Sequence, residues 1–359
     1  MTGAQPIRRR RGGWPTPEHM SPGCFALVMG TGIITIGAGQ RGWHILADLL
    51  LILTALEYAV LVLLALWRVG RYRDLFVVDL KNPGVSFQFF TFVAGTNVLA
   101  AALAAHGHLT AATVLLCVGV VAVTVLGYVI PWLVLLARGP RSVLPDVNGT
   151  WFLWAVALHS VAIGAAILEH HATAGTDVLA AVAVISWSVG VGLYVATAVL
   201  VMMRLVLLPV EPEDIDPPFW ILMGLSALVV VAGSHIVEMA DTPLVDDVRG
   251  LVAGLLVLFW GVAAWLLPVM VALGVWRHGF RRVPLRYTPA LWSIVFPLGM
   301  FAASGMTLGG TDRVPLATWL GRELMWVALG VWALTYLAMV WSGVRRLREV
   351  RSPFIRSPR

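Results

Sequence analysis

The sequence predicts an all-α integral membrane protein of ten transmembrane helices paired into five helical hairpins. Three observations predict it. The AVILMFWYC residues make up 59% of 359 residues and the charged ones only 12%, whereas a soluble surface calls for roughly a quarter charged. Ten apolar runs reach the length of about 18 residues that crosses a bilayer. These runs alternate short and long, so the chain repeats one unit five times.

The odd-numbered runs are Pro22–Gly39, Val85–Ala105, Gly149–Leu168, Pro218–Val237 and Pro289–Leu308, of 18 to 21 residues. The even-numbered ones are Ile45–Trp67, Leu109–Ala137, Val178–Val210, Val248–Trp276 and Leu316–Val344, of 23 to 33 residues. No connecting loop exceeds 17 residues, which leaves no room for a soluble domain. The expected organisation is a tail over residues 1–21, a ten-helix transport or channel domain over 22–344 and a basic tail over 345–359. Each short run opens on a helix-starting sequence: Ser21-Pro22-Gly23, Asn82-Pro83-Gly84, Asn148-Gly149, Pro217-Pro218 and Thr288-Pro289. A capping side chain followed by Pro or Gly is a sound way to begin a helix. The starts at 22, 84, 149, 218 and 289 are spaced by 62, 65, 69 and 71 residues.

The net charge of +6 and pI near 9.9 invite a nucleic-acid reading, but the positions of the charges exclude it. The side carrying both termini holds 21 of the 25 Lys and Arg residues, including Arg8 to Arg11, Arg277, Arg281, Arg282 and Arg286. The opposite side holds Arg41, Arg249, Arg313 and Arg322. By the positive-inside rule both termini are cytoplasmic in a cell (plasma or inner) membrane. The Arg8–Arg11 cluster resembles the basic region of a signal peptide. The run after it is long and lacks a clean small-residue cleavage site, so it reads as an uncleaved first helix.

No Asp, Glu, Lys or Arg falls within the five odd runs. They carry small and uncharged polar groups instead: Gly30, Thr31, Gly32 and Thr35, then Gln88, Thr91, Thr96 and Asn97, then His159 and Ser160, then Ser226, Ser234 and His235, then Ser293, Ser304 and Thr307. The even runs are more uniformly Leu, Val and Ala, as walls facing lipid should be. The odd helices therefore read as an inner ring forming a pore in a pseudo-five-fold arrangement, with Gly30, Thr31, Gly32, Thr35, Gln88, Thr91, Asn97, His159, Ser226 and Ser293 as pore-lining candidates. Close helix packing is the other use membranes make of such residues.

Five motifs in order resemble the tellurite-resistance/C4-dicarboxylate transporter family, which includes the fungal malate permease and sulfite pump and the plant slow anion channels. They are Phe25-Ala-Leu-Val-Met-Gly-Thr-Gly-Ile-Ile, Asn82-Pro83-Gly84, Asn148-Gly149-Thr150-Trp151-Phe152, Pro217-Pro218-Phe219-Trp220 with Met223-Gly224, and Trp292-Ser293-Ile294-Val295-Phe296-Pro297. The resemblance covers essentially the whole chain. It implies ten helices, a central pore from the odd ones and a homotrimer with one pore per subunit. It also implies that Phe296, at the break made by Pro297, is the gate. From the residues alone Phe296 is either a packing aromatic or a hydrophobic constriction, and a mid-helix proline bends a helix. Only Pro297 is mid-helix among the odd runs, so Gly32, Gly95, Gly164 and Gly224 would supply the other bends of a family whose pore helices are often proline-kinked.

An anion pathway without a lining cation is chemically reasonable, because conduction needs weak binding and a fixed cation would slow exit. Uncharged donors and helix-end dipoles stabilise an anion modestly, and Arg277 to Arg286 can concentrate anions at the cytoplasmic mouth. Three intramembrane ionisable residues stand out. Glu57, thirteenth of 23 in the second run, and His159, midway along the fifth, are each either structural or a proton-coupling site. His235, with Glu238 nearby, reads as support for a helix end. The expected function is transport of small inorganic or dicarboxylate anions across the lipid bilayer: C4-dicarboxylate, a tellurite-related oxyanion, sulfite or halide. The alternative is a proton-coupled carrier using Glu57 or His159. Cys24 and Cys117 lie in apolar runs and offer no disulfide framework or metal spacing. A redox enzyme is therefore remote, and the sequence calls for no cofactor, no metal and no nucleic-acid partner.

Overall fold

In the computed structural model, described for residues 17–137, 142–240, 242–309 and 314–351, ten helices are long and apolar enough to cross a membrane. They are α1 (Pro22–Gln40), α2 (His44–Arg71), α3 (Ser86–Ala105), α4 (Leu109–Leu136), α5 (Gly149–Glu169), α6 (Thr176–Leu207), α7 (Pro217–Val237), α8 (Pro243–Phe280), α9 (Pro289–Gly309) and α10 (Pro315–Arg346). No strand occurs among the described residues. The Arg8–Arg11 cluster, Arg313 and the outer parts of both tails lie outside them.

The short helices form an inner layer and the long ones an outer layer. In the most apolar stretch of each odd-numbered helix 72% to 83% of residues are buried, against 17% to 33% in the even-numbered ones. Among themselves the odd helices close a ring: α1 packs on α3 and α9, α3 on α5, α5 on α7, and α7 on α9. Each even helix lies over the odd helix before it and touches the next odd helix round the ring. Large apolar side chains such as Leu49, Leu56 and Leu63 of α2 and Trp265 of α8 point outward, as walls facing hydrocarbon must.

Lipid offers no hydrophobic drive for helix association, so the inner ring is held by close van der Waals fit at small residues. A side chain on Gly149 would collide with the backbone of Pro218, and one on Gly224 would come within 2.7 Å of the Pro297 ring. These two contacts lock α5 to α7 and α7 to α9 in the halves that begin on the side of the chain termini.

Each inner helix begins with a tight 3-10 turn: Pro22–Phe25, Ser86–Phe89, Gly149–Phe152, Pro217–Trp220 and Pro289–Leu291. Ser21 Oγ accepts from the Gly23 N–H at 3.3 Å and Asn148 Oδ1 from the Thr150 N–H at 2.9 Å, so two of the starting sequences cap as their residue types predict. Asn82 Oδ1 instead bonds the Gly84 N–H at 3.0 Å and makes the turn before α3. Boundaries differ where charge and helix coexist. α8 starts at Pro243, capped by Thr242 Oγ1 on the Val245 N–H, because Asp246, Asp247 and Arg249 sit on a helix that continues past the apolar run. The loop after α2 contains a further short helix, Arg73–Lys81, pinned by the Arg68–Asp79 ion pair at 2.6 Å.

Candidate functional site

The inner ring encloses a cavity of about 370 Å³. Its wall follows one register. On α1 it runs from Gln40 to Ile33, on α3 from Ala105 to Asn97, on α5 from Ile167 to Ser160, on α7 from His235 to Leu228 and on α9 from Ala303 to Phe296. Seven or eight residues at 1.5 Å rise give a depth of about 10–12 Å. The twelfth residue of every inner helix lies in this wall: Ile33, Asn97, Ser160, Leu228 and Met300. Ile36, Ile163, Val231 and Ala303 follow three residues later on four of the five, as one helix face requires.

The cavity opens at the face away from the chain termini, where Gln40, His44, Asp48, His106 and His235 rim it. Its deepest residue on α9 is Phe296, 2% exposed. Phe296 is thus the aromatic at the inner end, followed directly by Pro297, which is wedged against Gly224. The helix from Trp292 to Gly309 runs on through Pro297 without interruption.

The deep wall is mainly Ile, Val, Leu, Ala and Met, with three polar side chains. Thr35 Oγ1 donates to the Thr31 carbonyl at 3.0 Å and lies 3.3 Å from Thr54 Oγ1. Asn97 Nδ2 donates to Ser160 Oγ at 3.0 Å, and Ser160 Oγ donates on to the Ala157 carbonyl at 2.7 Å. An amide nitrogen carries two protons, so Asn97 keeps a second donor after serving Ser160. No Lys or Arg lines the cavity.

Of the candidates read from the sequence, Thr35, Asn97 and Phe296 fall in this wall. The others are elsewhere. Gly30 faces Trp292 and Gly32 faces Val98 and Thr54. Thr31 Oγ1 accepts from Trp332 Nε1 of α10 at 3.2 Å, behind α1. Gln88 accepts from Ser21 Oγ at 2.9 Å, and Thr91 Oγ1 donates to the Pro22 carbonyl at 3.0 Å, both at the end that carries the chain termini. His159 is fully buried against Gly190 of α6, with Nδ1 2.8 Å from the Ala155 carbonyl. Ser226 lies 2.9 Å from the Tyr194 hydroxyl of α6. Ser293 is half-buried one turn below Pro297. Glu57 sits between α2, α1 and α10 beside Thr31 and Tyr336, and neither oxygen makes a well-formed hydrogen bond. Ser160 and the rim residues Gln40, His44, Asp48, His106 and His235 also line the cavity. The signal for Ser160 was the shared helix position; the rim residues share none.

Outside the membrane, at the end that carries the chain termini, burial perturbs Asp216 and Tyr287. Asp216, just before α7, is pushed up to about 7 by burial, while the Arg277 guanidinium pulls it down. Arg277 itself donates to the Ile215 carbonyl.

Comparison with known proteins agrees with this architecture. The sequence pattern of the family described as voltage-dependent anion channel matches residues 19–340. A membrane protein of Mycobacterium tuberculosis is 49% identical over 148 residues, 41% of this chain and 75% of that protein. A transporter of Methanocaldococcus jannaschii is 24% identical over 89% of this chain and 92% of its own length. A sulfite efflux pump of Arthroderma benhamiae is 22% identical over 93% of both chains.

Proposed function

The chain belongs to the voltage-dependent anion channel family, and from that premise we propose that it conducts small anions through the centre of the inner ring, gated by Phe296 at Pro297. The observation that carries this reading is the cavity itself: five uncharged helices enclose it, no cation lines it, and it ends on an aromatic side chain. Apolar walls with a few neutral donors bind an anion weakly enough to release it. Asn97 with Ser160 supplies the polar contact beside Phe296, at the level where a hydrated anion must shed water. Rotation of one aromatic ring next to a residue that leaves a backbone carbonyl unbonded is a local motion, suited to opening and closing.

The same reading includes a pseudo-five-fold ring, supported by the common wall position on all five inner helices. It also includes insertion in the cell membrane with both termini cytoplasmic, supported by 21 of 25 Lys and Arg residues on that side. Assembly as a homotrimer rests on the family resemblance. Among the candidate anions, a sulfite pump among the relatives makes sulfite the first oxyanion to test, followed by halide, malate-like dicarboxylate and tellurite.

Proton coupling has one observation in its favour, the buried Glu57 carboxylate inside the bilayer. Glu57 lies behind α1 and His159 faces α6, so neither touches the cavity wall, which favours the channel. The test is anion flux into proteoliposomes down its own gradient, with equal pH on both sides, for nitrate, chloride, sulfite and malate. Flux of at least one supports conduction. Flux that appears only with an imposed pH gradient and disappears in Glu57→Gln supports the carrier.

A further inference from the structure

The rim of the cavity has chemistry that conduction alone does not require. Six of the nine histidines lie on the face away from the termini: His44, His106, His108, His170, His171 and His235. Three of them, His44, His106 and His235, line the cavity together with Asp48. By sequence that face carries four arginines and nine acids, a balance of −5. No ionisable side chain other than histidine has an ordinary pKa near neutrality.

His106 shows how the rim is poised. Its Nδ1 lies 2.7 Å from the Ala102 carbonyl, which only accepts, so Nδ1 carries the proton. Its Nε2 faces Asp48 Oδ1 at 3.4 Å, with the imidazole 20% and the carboxylate 66% exposed. In the neutral ring a lone pair points at the carboxylate. A second proton makes Nε2 a donor, completes the pair and leaves His44 to set the net sign of the mouth. Cavity walls of low dielectric focus that charge on the entrance.

The surrounding charges leave the switch to these groups. From α1, Arg41 is stacked against Trp43 and Trp326, 4.8 and 5.6 Å from their ring centres. From α5, Glu169 lies 3.6 Å from His170, and His170 is close enough to His235 for their charges to interact. From α7, Glu238 follows His235 at the helix end. From α8, Arg249 is engaged by Asp246 and by the Val237 and Met239 carbonyls. His108 and His171 sit in the adjoining turns, and Arg322 and Glu323 are exposed neighbours in sequence on α10.

We propose that the rim is a proton-dependent anion-binding site, in which His44 and His106 hold a small inorganic anion at the entrance when protonated. With the histidines neutral, Asp48 repels anions there, so entry from this face is suppressed at neutral pH and released by acid. This rests on the conduction reading, since it assigns the entrance of the same pathway.

The test uses the full chain in excised patches or planar bilayers, with the pH of each side set separately. Nitrate is the probe, because it does not titrate in the range used. Lowering the pH on the rim side from about 7.5 to about 5 is expected to raise nitrate entry from that side about three- to tenfold, as focused charge at a channel mouth does. The same step on the opposite side leaves it flat. Asp48→Asn is expected to raise entry at pH 7.5, a gain that misfolding does not produce. The double variant His44→Gln, His106→Gln is expected to lose the acid response. Nitrate current that ignores rim-side pH, an acid response that survives in the double variant, or reduced entry in Asp48→Asn overturns the proposal while conduction stands. Absence of nitrate current at every pH overturns both.

Discussion

The two halves of the inner ring are built from the same five helices, yet one half is open and the other is filled. Toward the rim, residue twelve of each helix and residue fifteen of four are aliphatic or small polar side chains that leave a cavity. Toward the termini, the helices touch: Gly30 meets Trp292, Gly95 meets the Phe25 carbonyl, and Gly149 meets Pro218. Phe296 stands where one half gives way to the other. The difference teaches that closure is not a single lid on an otherwise continuous tube. Close packing at glycines narrows the half nearer the termini, and Phe296 ends the open half.

Breaking the filled half should have the largest effect. Gly149→Val puts atoms into the Pro218 backbone, which has no flexible end to move aside. Overpacking typically costs about 1–3 kcal/mol and more against backbone. The expected outcome is loss of the monodisperse folded species on size exclusion, or a fall of many degrees in unfolding temperature.

The open half should answer to charge rather than volume. Asn97→Asp keeps the shape of the side chain but places a carboxylate beside Phe296 in an apolar wall. Repulsion in low dielectric should cut anion flux by about tenfold or more, equivalent to about 1.4 kcal/mol. A normally folded Asn97→Asp protein with unchanged nitrate flux would remove this residue from the pathway.

The smallest effect belongs to the edge on the side of the chain termini. Asp216 is raised to about 7 from an ordinary 3.8, so the folded state binds more protons than the unfolded one between those values. Stability therefore falls as pH rises from about 4 to about 7, the opposite of a salt-bridged carboxylate. The unfolding temperature should decline by a few degrees across that window, and Asp216→Asn should flatten the decline.

Much of the fold is legible in the sequence because the bilayer imposes it. Run length, charge side and the five starting sequences lead directly to ten helices in two layers. The site is less legible. Polarity marks His159 and Ser160 alike, but consecutive residues on a helix point about 100° apart. His159 is turned to Gly190 of α6 and Ser160 to the cavity. Thr31 and Ser226 likewise face the outer ring, because a hydroxyl in lipid surroundings is as useful between helices as in a pathway. The five starts read at 22, 84, 149, 218 and 289 fall within two residues of the observed 22, 86, 149, 217 and 289, which put the shared twelfth position within reach. That register finds Ile33 and Leu228, which no search for polar residues selects. Of the rim histidines, His44 and His106 lie at helix ends outside the apolar runs, where composition says nothing about a cavity.

Phe296→Ala offers the most direct test of the central claim, that anions pass through the inner ring and are stopped at this side chain. Nitrate conductance of the purified variant would be compared with the parent in the same bilayers, at equal pH on both sides. Removing the ring should widen a hydrophobic constriction and raise conductance about tenfold or more. Conductance equal to the parent's, in a variant with the parent's size-exclusion profile, would contradict the account.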